Sequence, residues 1–547
     1  MKSCNLQRSL FDFDENYEVS KIIDGKKYNT NIIQLPDFIL QKLNKYNLDQ
    51  YVKDVEIDGL EKTWDYICQY VIDYNRESSD FLNVDRFGEL YEIGLAIQDK
   101  NLKKKSGQYY TPDDVAIVMA KWLQKSKGSV VCDVACGTGK LILTYLDLIG
   151  YEEARKLISS GKLYLYDFDN VALKICRTTI AIKYGLDVAT SIHDVFCDFL
   201  DCSIELPDDC KVISNPPYAQ IDLIQEYWEH TDVLMDTREL YSSFMEKIFN
   251  QAMSTVIITP FSFLSGNKFY SLRKEMSKIG YGFVVSFDNV PGNIFCGRKH
   301  GIFNTNTANS VRAAITVLYK SEEKKGFRIS PLIRFKNEER KRLLDIDLLE
   351  SSLPNSYQIV DSTKKQFEKV EKGMYSLFSD WEDKSQFKTK DLLSKQKTPF
   401  LIDMPNTCRY YTTASARKLN RTGSITMYVK TEREFNFLYC FINSSFTYWW
   451  WRVYDGGIIY PIGLLNAMPI PINLLTSEDD AFFATITKTL MDEEKKYIVT
   501  KMNAGVLQEN IKFPARYREL INKRIVGILG SNLDVAMFDK IHSNCYF

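Results

Sequence analysis

The chain of 547 residues is too long for one compact hydrophobic core, so we expect two or three domains. Its net charge of −1 excludes the overall basic character of a simple nucleic-acid-binding protein, although its 70 lysines and arginines can still gather on one face. There is no run of about eighteen apolar residues to indicate a membrane span, and the first residues do not resemble a signal peptide, so we expect a cytoplasmic protein without membrane contact.

Four segments follow one another along the chain and differ in the spacing of their apolar residues. Residues 1–105 carry apolar residues at helical spacing, which predicts a helical N-terminal domain. Residues 106–325 alternate short β-rich runs with helical stretches, and a charged stretch at 321–345 indicates a boundary. Residues 346–475 mix helices with irregular strands, which predicts an α+β region, and residues 476–547 form a helical C-terminal segment.

The alternation in the second segment predicts an α/β fold: a mostly parallel sheet with helices on both faces. Its β-rich runs include GSVVCDVACG, KLYLYDFD, CKVISNPPY, STVIITPFSFL and YGFVVSFDNV. The last run, VRAAITVLYK, is expected to pair antiparallel with its neighbour.

An apolar strand runs into a glycine turn at Val130–Gly139, with the sequence VVCDVACGTG. Glycines in such a turn let the backbone approach a nucleotide-like ligand closely, and Asp133 near the strand end can hold a cationic amine. A phosphate-binding loop would need glycine at Val134 and a hydroxyl residue at Leu141, and a dinucleotide fingerprint would need glycine at Ile142. Both patterns fail, which favours a ligand without phosphates to cradle.

Further acids follow the glycine turn at the ends of predicted strands. A carboxylate at the end of the second strand can accept hydrogen bonds from both ribose hydroxyls, and Asp167 or Asp169 fits that role. Asp194 ends the short run TSIHD and can accept from an adenine amino group, while Asp198 competes for the same role.

The segment KVISNPPY places two prolines directly after a β-rich run. Pro216 and Pro217 fix two backbone angles and remove two donors, so the strand ends in a rigid exposed loop. The exocyclic nitrogen of adenine is a poor nucleophile because its lone pair is delocalised into the ring. If the side-chain oxygen of Asn215 and the carbonyl of Pro216 each accept one of its hydrogens, that lone pair can face an electrophilic methyl group. Tyr218 would then stack on the base, which must be flipped out of its helix.

The segments GQYYTP, DVACGTG and NPPY, in that order, resemble the gamma class of amino-methyltransferases that act on N6 of adenine in DNA, as in restriction–modification systems. The resemblance covers about residues 85–320. It implies a Rossmann-like methyltransferase core, S-adenosyl-L-methionine (SAM) as cofactor, double-stranded DNA as substrate, and a restriction or specificity subunit as a possible partner.

The same resemblance assigns roles to particular residues. Thr111 and Pro112 border the methionine end of SAM, and Asp133 lies at the cofactor turn. The residues agree with this placement, since threonine is a good N-cap and proline suits the first helical position. The cofactor-binding residues are therefore expected to be Tyr110, Thr111, Pro112, Asp133, Ala135, Cys136, Gly137, Gly139, Asp167 and Asp194, and the catalytic residues Asn215, Pro216, Pro217 and Tyr218.

Recognition of a DNA sequence needs side chains that reach base edges, normally from a domain separate from catalysis. Residues 346–475 are the candidate target-recognition domain, because such a domain commonly follows the core in the family that the chain resembles. The expected contacts are Arg409, Tyr410, Tyr411, Arg417 and Lys418. We interpret the aromatic run FTYWWW within this region as hydrophobic core.

Three alternatives remain at this stage. NPPY also occurs in enzymes that methylate RNA or a protein glutamine, although glutamine methyltransferases are usually much shorter. The chain can also be a modification subunit whose sequence specificity comes from another chain. Fusion with a nuclease is disfavoured, because the region before the core is too short and too helical. No metal site is expected, since the twelve cysteines contain no C-x-x-C pair and there are only four histidines.

Overall fold

The structure of the protein, a computed structural model, describes residues 21–23, 26–28, 111–295, 311–503 and 505–547. The predicted helical domain at 1–105 falls almost entirely outside these residues and stays a prediction. Two short strands within it are described, β1 (Lys21–Ile23) and β2 (Lys26–Tyr28), and they pair antiparallel.

An eight-stranded sheet forms the centre of the first described region. Its strands are β3 (Val130–Val134), β4 (Leu163–Asp167), β5 (His193–Phe196), β6 (Cys210–Ser214), β7 (Ser254–Pro260), β8 (Gly280–Phe287), β9 (Ala313–Lys320) and β10 (Gly326–Ile333). They lie in the order β10-β8-β9-β7-β6-β3-β4-β5. Only β9 runs against its neighbours, as predicted for VRAAITVLYK, and the other pairs are parallel. The chain order reverses between β3 and β6, which makes their carboxyl ends a topological switch point.

Helices cover both faces of this sheet, as the sequence predicts. They are α1 (Asp113–Lys125), α2 (Lys140–Ile149), α3 (Tyr151–Ser159), α4 (Asn170–Tyr184), α5 (Leu186–Ala189), α6 (Asp232–Thr237), α7 (Leu240–Gln251) and α8 (Tyr270–Ile279). Successive side chains of a strand point to opposite faces. In β3, Val131 therefore packs with residues of α1, α2 and α4, while Cys132 and Val134 pack with residues of α7 and α8.

The edge strand β10 lies inside the charged stretch that was expected to be a domain boundary. The charges of SEEKKG precede it, and the strand itself is buried almost throughout. Pro331 lies in β10 where the pairing of this strand with β8 shifts register, between Ile329 and Leu332. An edge strand tolerates a residue without a backbone N–H donor at such a position. The boundary prediction at 321–345 is therefore wrong, and the sheet extends to Ile333.

The C-terminal part of the chain is mainly helical, with three small antiparallel strand pairs. After α9 (Arg340–Leu343) and α10 (Ile346–Ser351) come α11 (Tyr375–Lys384), β11 (Phe387–Lys388), α12 (Thr389–Leu392), β12 (Leu401–Pro405), β13 (Ser424–Tyr428), α13 (Glu432–Ile442), α14 (Ser445–Tyr454), α15 (Ile462–Ala467), β14 (Pro469–Ile470), α16 (Ser477–Tyr497), β15 (Ile498–Asn503), β16 (Val506–Ile511), α17 (Ala515–Ile528) and α18 (Asp539–His542). One hydrophobic core joins residues from Val370 to Ile541. The expected division at 475/476 therefore does not separate two cores. Across the described parts of the chain, no helix combines the length and apolar character needed to cross a membrane.

The tryptophan run lies in this core, as the sequence analysis favoured. Trp449, Trp450 and Trp451 are at most 5% exposed. The indole nitrogen of Trp449 donates to the Glu371 carboxylate at 2.5 Å, so the buried polar atom is satisfied.

A buried ion cluster joins the sheet to the helical part. Asp288, which follows β8, lies 2.9 Å from both Arg312 and Arg334 and 3.4 Å from Arg452 of α14. Burial alone would raise the pKa of Asp288, but the three guanidinium groups hold it below its ordinary value. Since a buried carboxylate costs free energy unless it is paired, these contacts fix α14 against the ends of β8, β9 and β10.

Candidate active site

The candidate site lies where the carboxyl ends of β3, β4 and β6 meet. Val134 of β3 is opposite Tyr166 of β4 on one side and Ser214 of β6 on the other. The residues that come next along each strand are Ala135, Asp167 and Asn215. Strand pairing alone therefore brings the glycine turn, one predicted acid and the predicted catalytic amide to one edge.

The glycine turn has the backbone that a close ligand requires. Gly137 has a φ of 54°, and a Cβ added there would meet nothing within 4 Å, so the turn opens onto free space. Gly139 has a φ of 90°, and its Cβ would lie 2.3 Å from Cys176 Sγ of α4, so that glycine is needed for packing. Ala135 also has a positive φ, of 58°. The backbone amide of Cys136 donates to the Tyr166 carbonyl at 3.0 Å, which ties the turn to β4.

Asp133 supports this turn from inside. Its side chain is fully buried, and its Oδ2 accepts from the backbone amide of Ile142 in α2 at 3.1 Å. Burial raises the pKa of its carboxyl group well above the ordinary range. Its other oxygen, Oδ1, is buried and has no hydrogen-bond partner among the described residues. That Asp133 holds a cationic amine of the cofactor stays a prediction.

Asp167 is the acid that borders the turn. Its Oδ2 accepts from the Gly137 amide at 2.7 Å, and its Oδ1 accepts from the Asp169 amide at 2.7 Å. A carboxylate has about four acceptor positions, so capacity remains for a ribose hydroxyl. Burial, with a smaller repulsion from Asp169, raises the pKa of Asp167 to about 7. Asp169 accepts from the Ala172 amide at 3.1 Å at the start of α4 and acts as a helix cap.

The structure separates the two acids that competed for the adenine amino group. Asp194 lies in β5, two residues before the strand end and opposite Leu165 of β4. Its carboxylate forms an ion pair with Arg177 of α4 at 2.5 Å. Asp198 follows the end of β5, where Phe196 is opposite Asp167. Its Oδ2 accepts from the Trp228 indole at 2.8 Å. The register favours Asp198 over Asp194 at the cofactor edge, and the cofactor contact of either acid stays a prediction.

The side chain of Asn215 is held at both ends. Its Nδ2 donates to Thr111 Oγ1 at 2.8 Å, and its Oδ1 accepts from the Tyr218 hydroxyl at 2.8 Å. The Tyr218 hydroxyl also lies 3.1 Å from the carbonyl of Ile258 in β7. The two contacts hold the amide with its oxygen on the side of Tyr218 and its nitrogen on the side of Thr111.

Thr111 was predicted as the N-cap of the first helix. In the structure, α1 has Pro112 as its N-cap, without a side-chain cap hydrogen bond, so that prediction is wrong by one residue. Pro112 is likewise one position earlier than expected. Thr111 is 4% exposed, and its hydroxyl accepts a hydrogen bond from Asn215 Nδ2. Asp113 and Asp114 occupy the first turn of α1.

Aromatic side chains surround Tyr218. Its ring centroid lies 6.2 Å from Tyr241 and 5.9 Å from Phe295, with both pairs edge to face. Pro216 is buried, whereas Pro217 and Tyr218 are half-buried. Sequence reasoning missed Tyr241, Phe295 and the carbonyl of Ile258, since nothing in the local pattern marks them. Tyr110 and the residues of GQYY lie outside the described residues.

The expected DNA contacts are distributed over the helical part. Arg409, Arg417 and Lys418 are exposed, and Tyr410 and Tyr411 are half-buried. Among the described residues, no group of three or more His, Cys, Asp or Glu residues forms a candidate metal site.

The strand order, the single reversed strand and the helices on both faces define a Rossmann-like α/β core with a ligand edge at its switch point. Residues 82–347 match the family of N-6 DNA methylases. The chain is 23% identical over 267 residues to a type I restriction enzyme MpnII methylase subunit of Mycoplasma pneumoniae, covering 44% of this chain and 46% of that protein. It is 26% identical over 258 residues to the MjaVII methylase subunit of Methanocaldococcus jannaschii, covering 43% and 40%. Among solved structures, the DrdV–DNA complex gives a TM-score of 0.46 at 12% identity, covering 88% of this chain and 72% of that one.

These comparisons confirm the predicted resemblance to an N6-adenine DNA methyltransferase of restriction–modification type, and with it SAM as the cofactor. The chain spans less than half the length of the two curated relatives. The residues present fit SAM, because the space beside Gly137 is open and Asp167 keeps acceptor positions for a ribose.

Proposed function

We propose that the chain is a site-specific DNA methyltransferase that modifies N6 of a flipped-out adenine, as the modification component of a restriction–modification or related defence system in the cytoplasm. The observation that carries this proposal is the position of the Asn215 amide. Asn215 directly follows β6, which pairs with β3, the strand that leads into the glycine turn. Its side chain is held by Thr111 and Tyr218.

The protein's part in the reaction is to orient the amino group. Asn215 Oδ1, which lies 2.8 Å from the Tyr218 hydroxyl, accepts one N6 hydrogen of adenine. The carbonyl of Pro216 accepts the other hydrogen. With both hydrogens held, the nitrogen lone pair is directed away from the ring, toward the side where the glycine turn lies. SAM, when bound, would supply the methyl group as its carbon–sulfur bond breaks, leaving S-adenosylhomocysteine. The methylated nitrogen would then lose one of its two hydrogens as a proton to water.

Thr111 acts in this proposal as a positioning residue for Asn215. An amide rotated by half a turn would present its NH₂ group to the adenine NH₂ group, and two donors cannot bond to each other. The contact from Nδ2 to Thr111 Oγ1 at 2.8 Å holds the amide in position before the base arrives. We further propose that Asp167 binds the ribose and that Asp198 binds the adenine amino group of SAM.

The test is expression of the full chain in a bacterial host that lacks adenine methylation, followed by modification-sensitive sequencing of the DNA. We expect N6-methyladenine at one sequence motif. The variant Asn215→Ala should abolish the modification and leave SAM binding within about threefold of the wild type, because the amide contacts the amino group and not the cofactor. Comparable modification by Asn215→Ala, or labelled methyl groups appearing only in protein or RNA, would overturn the proposal.

The two relatives are named methylase subunits, which favours a second possibility about the partner: sequence specificity supplied by another chain. Expression alone and expression together with the proteins encoded beside it separate the two cases. Modification by the chain alone shows that it reads the sequence itself, whereas modification only on co-expression shows a separate specificity subunit.

A further inference from the structure

A loop between α14 and α15 exposes three large apolar side chains. We call residues 455–463, with the sequence DGGIIYPIG, the isoleucine loop. Ile458, Ile459 and Ile462 are 57%, 56% and 59% exposed. Neighbouring isoleucines exposed to this degree form an apolar surface, and such surfaces mark sites of interaction with other molecules.

The loop is held firmly from below. Tyr460, between the exposed isoleucines, is 1% exposed, and its hydroxyl donates to the Thr447 carbonyl at 3.2 Å. Its amide donates to the Asn406 carbonyl at 2.7 Å. The indole nitrogen of Trp451, in the buried tryptophan run, donates to the carbonyl of Ile459 at 3.4 Å. The aromatic core therefore holds the loop backbone in one position while its isoleucine side chains face solvent.

The isoleucine loop lies at the same edge of the sheet as Asn215. A Cβ added to Gly456 would be 3.0 Å from Leu332, at the end of β10, and 3.9 Å from Phe261, directly after β7. β7 also contains Ile258, the carbonyl that the Tyr218 hydroxyl contacts. β7 and β10 run in the same direction as β6, so the loop and the catalytic amide are at carboxyl ends of one sheet.

A positive charge accompanies the isoleucine loop. Ile459 pairs with Thr407 in an isolated β-bridge, and Arg409 follows two residues later with an exposed side chain. The carbonyl of Arg409 accepts from Arg334 at 2.7 Å, so its backbone is anchored while its guanidinium group faces solvent. An exposed guanidinium group beside apolar side chains fits a duplex, because DNA offers phosphates next to stacked bases.

We propose that the isoleucine loop inserts into the DNA duplex and fills the gap left by the flipped adenine. This inference rests on the proposed function. Extruding a base costs the stacking and pairing of that base, and apolar wedges such as isoleucine can occupy an opened base step. The loop therefore stabilises the extruded state from outside the pocket, and Arg409 contacts a flanking phosphate.

The test compares the double variant Ile458→Ala/Ile459→Ala with the wild type, using the full chain with any co-expressed subunit that it requires. Ile359→Ala is the matched control, because Ile359 is 49% exposed and contacts Gly326 at the opposite, amino end of β10. Two duplexes carry the modified sequence found by sequencing: one fully paired, and one with an abasic site opposite the target adenine. SAM affinity and the thermal midpoint report on folding.

We expect the double variant to methylate the paired duplex at least tenfold more slowly and the abasic duplex within about threefold of the wild type, because an unpaired base costs less to extrude. With 2-aminopurine at the target, the fluorescence rise on binding should fall in the same variant and remain in Ile359→Ala. Equal losses on both duplexes, or no loss on either, would overturn the inference while leaving the proposed function intact. A wild-type chain that methylates no DNA overturns both.

Discussion

Replacing Thr111 by valine removes one hydroxyl group and keeps a β-branched side chain of similar shape. Thr111 is 4% exposed, and its Oγ1 is the acceptor for Asn215 Nδ2 at 2.8 Å. Asn215 is half-buried, and a typical hydrogen bond contributes about 0.5–1.5 kcal/mol. If that loss falls on the productive position of the amide, kcat should fall by about 2-fold to 12-fold. Thr111→Ser keeps the hydroxyl and should retain most of the activity.

The measurement is single-turnover methyl transfer together with calorimetric binding of SAM. The resemblance places Thr111 at the methionine end of the cofactor, and the two roles give different results. Positioning of Asn215 predicts a lower rate of transfer with nearly unchanged SAM affinity and rescue by Thr111→Ser. A weaker affinity for SAM with an unchanged rate would refute the positioning role, as would a valine variant with the wild-type rate.

Two further predictions concern pH. Burial raises the pKa of Asp167 to about 7, so its carboxylate becomes protonated as pH falls through 7. The affinity for SAM should therefore weaken by up to about tenfold per pH unit below that value. In binding titrations, Asp167→Asn should bind SAM more weakly than the wild type, with an affinity that does not change with pH. Burial, with the charge of Arg518 adding to it, lowers the pKa of His542 to about 3. The unfolded chain then takes up a proton below pH 6.5 and the folded chain does not, so this histidine should reduce the free energy of unfolding by about 1.4 kcal/mol per unit as pH falls from 6.5. His542→Gln should remove that component from denaturation curves measured between pH 7 and 5, and an unchanged slope would contradict the assignment.

Much of the sheet could be predicted from the sequence, because buried parallel strands are short apolar runs bounded by turns. The same runs place Asp167 and Asn215 after strands, and pairing in register then brings both to the switch point. β10 was missed because its flanking charges and Pro331 look like a linker, although an edge strand tolerates both.

Other features depend on contacts that a local pattern does not contain. The choice between Asp194 and Asp198 rests on where β5 ends relative to Asp167, a question of register. The contact between Thr111 and Asn215 joins residues 104 positions apart. From the helix-cap pattern we predicted that the Thr111 hydroxyl would cap its own helix. In the structure its partner is the side-chain amide of Asn215.

The contact between Thr111 and Asn215 also links the start of α1 to the aromatic pocket around Tyr218. α1 begins two residues after Thr111 and carries Asp114, whose carboxylate binds the buried guanidinium of Arg340 at 2.9 Å. Arg340 also donates to the carbonyl of Asn293 at 2.9 Å, two residues before Phe295, which lies beside Tyr218. The start of α1 is therefore fixed to the wall of the aromatic pocket as well as to the proposed catalytic amide of Asn215. Because these contacts are buried and shared, a shift of α1 would move Asn215 and the pocket wall together, which keeps the amide and the base pocket in register.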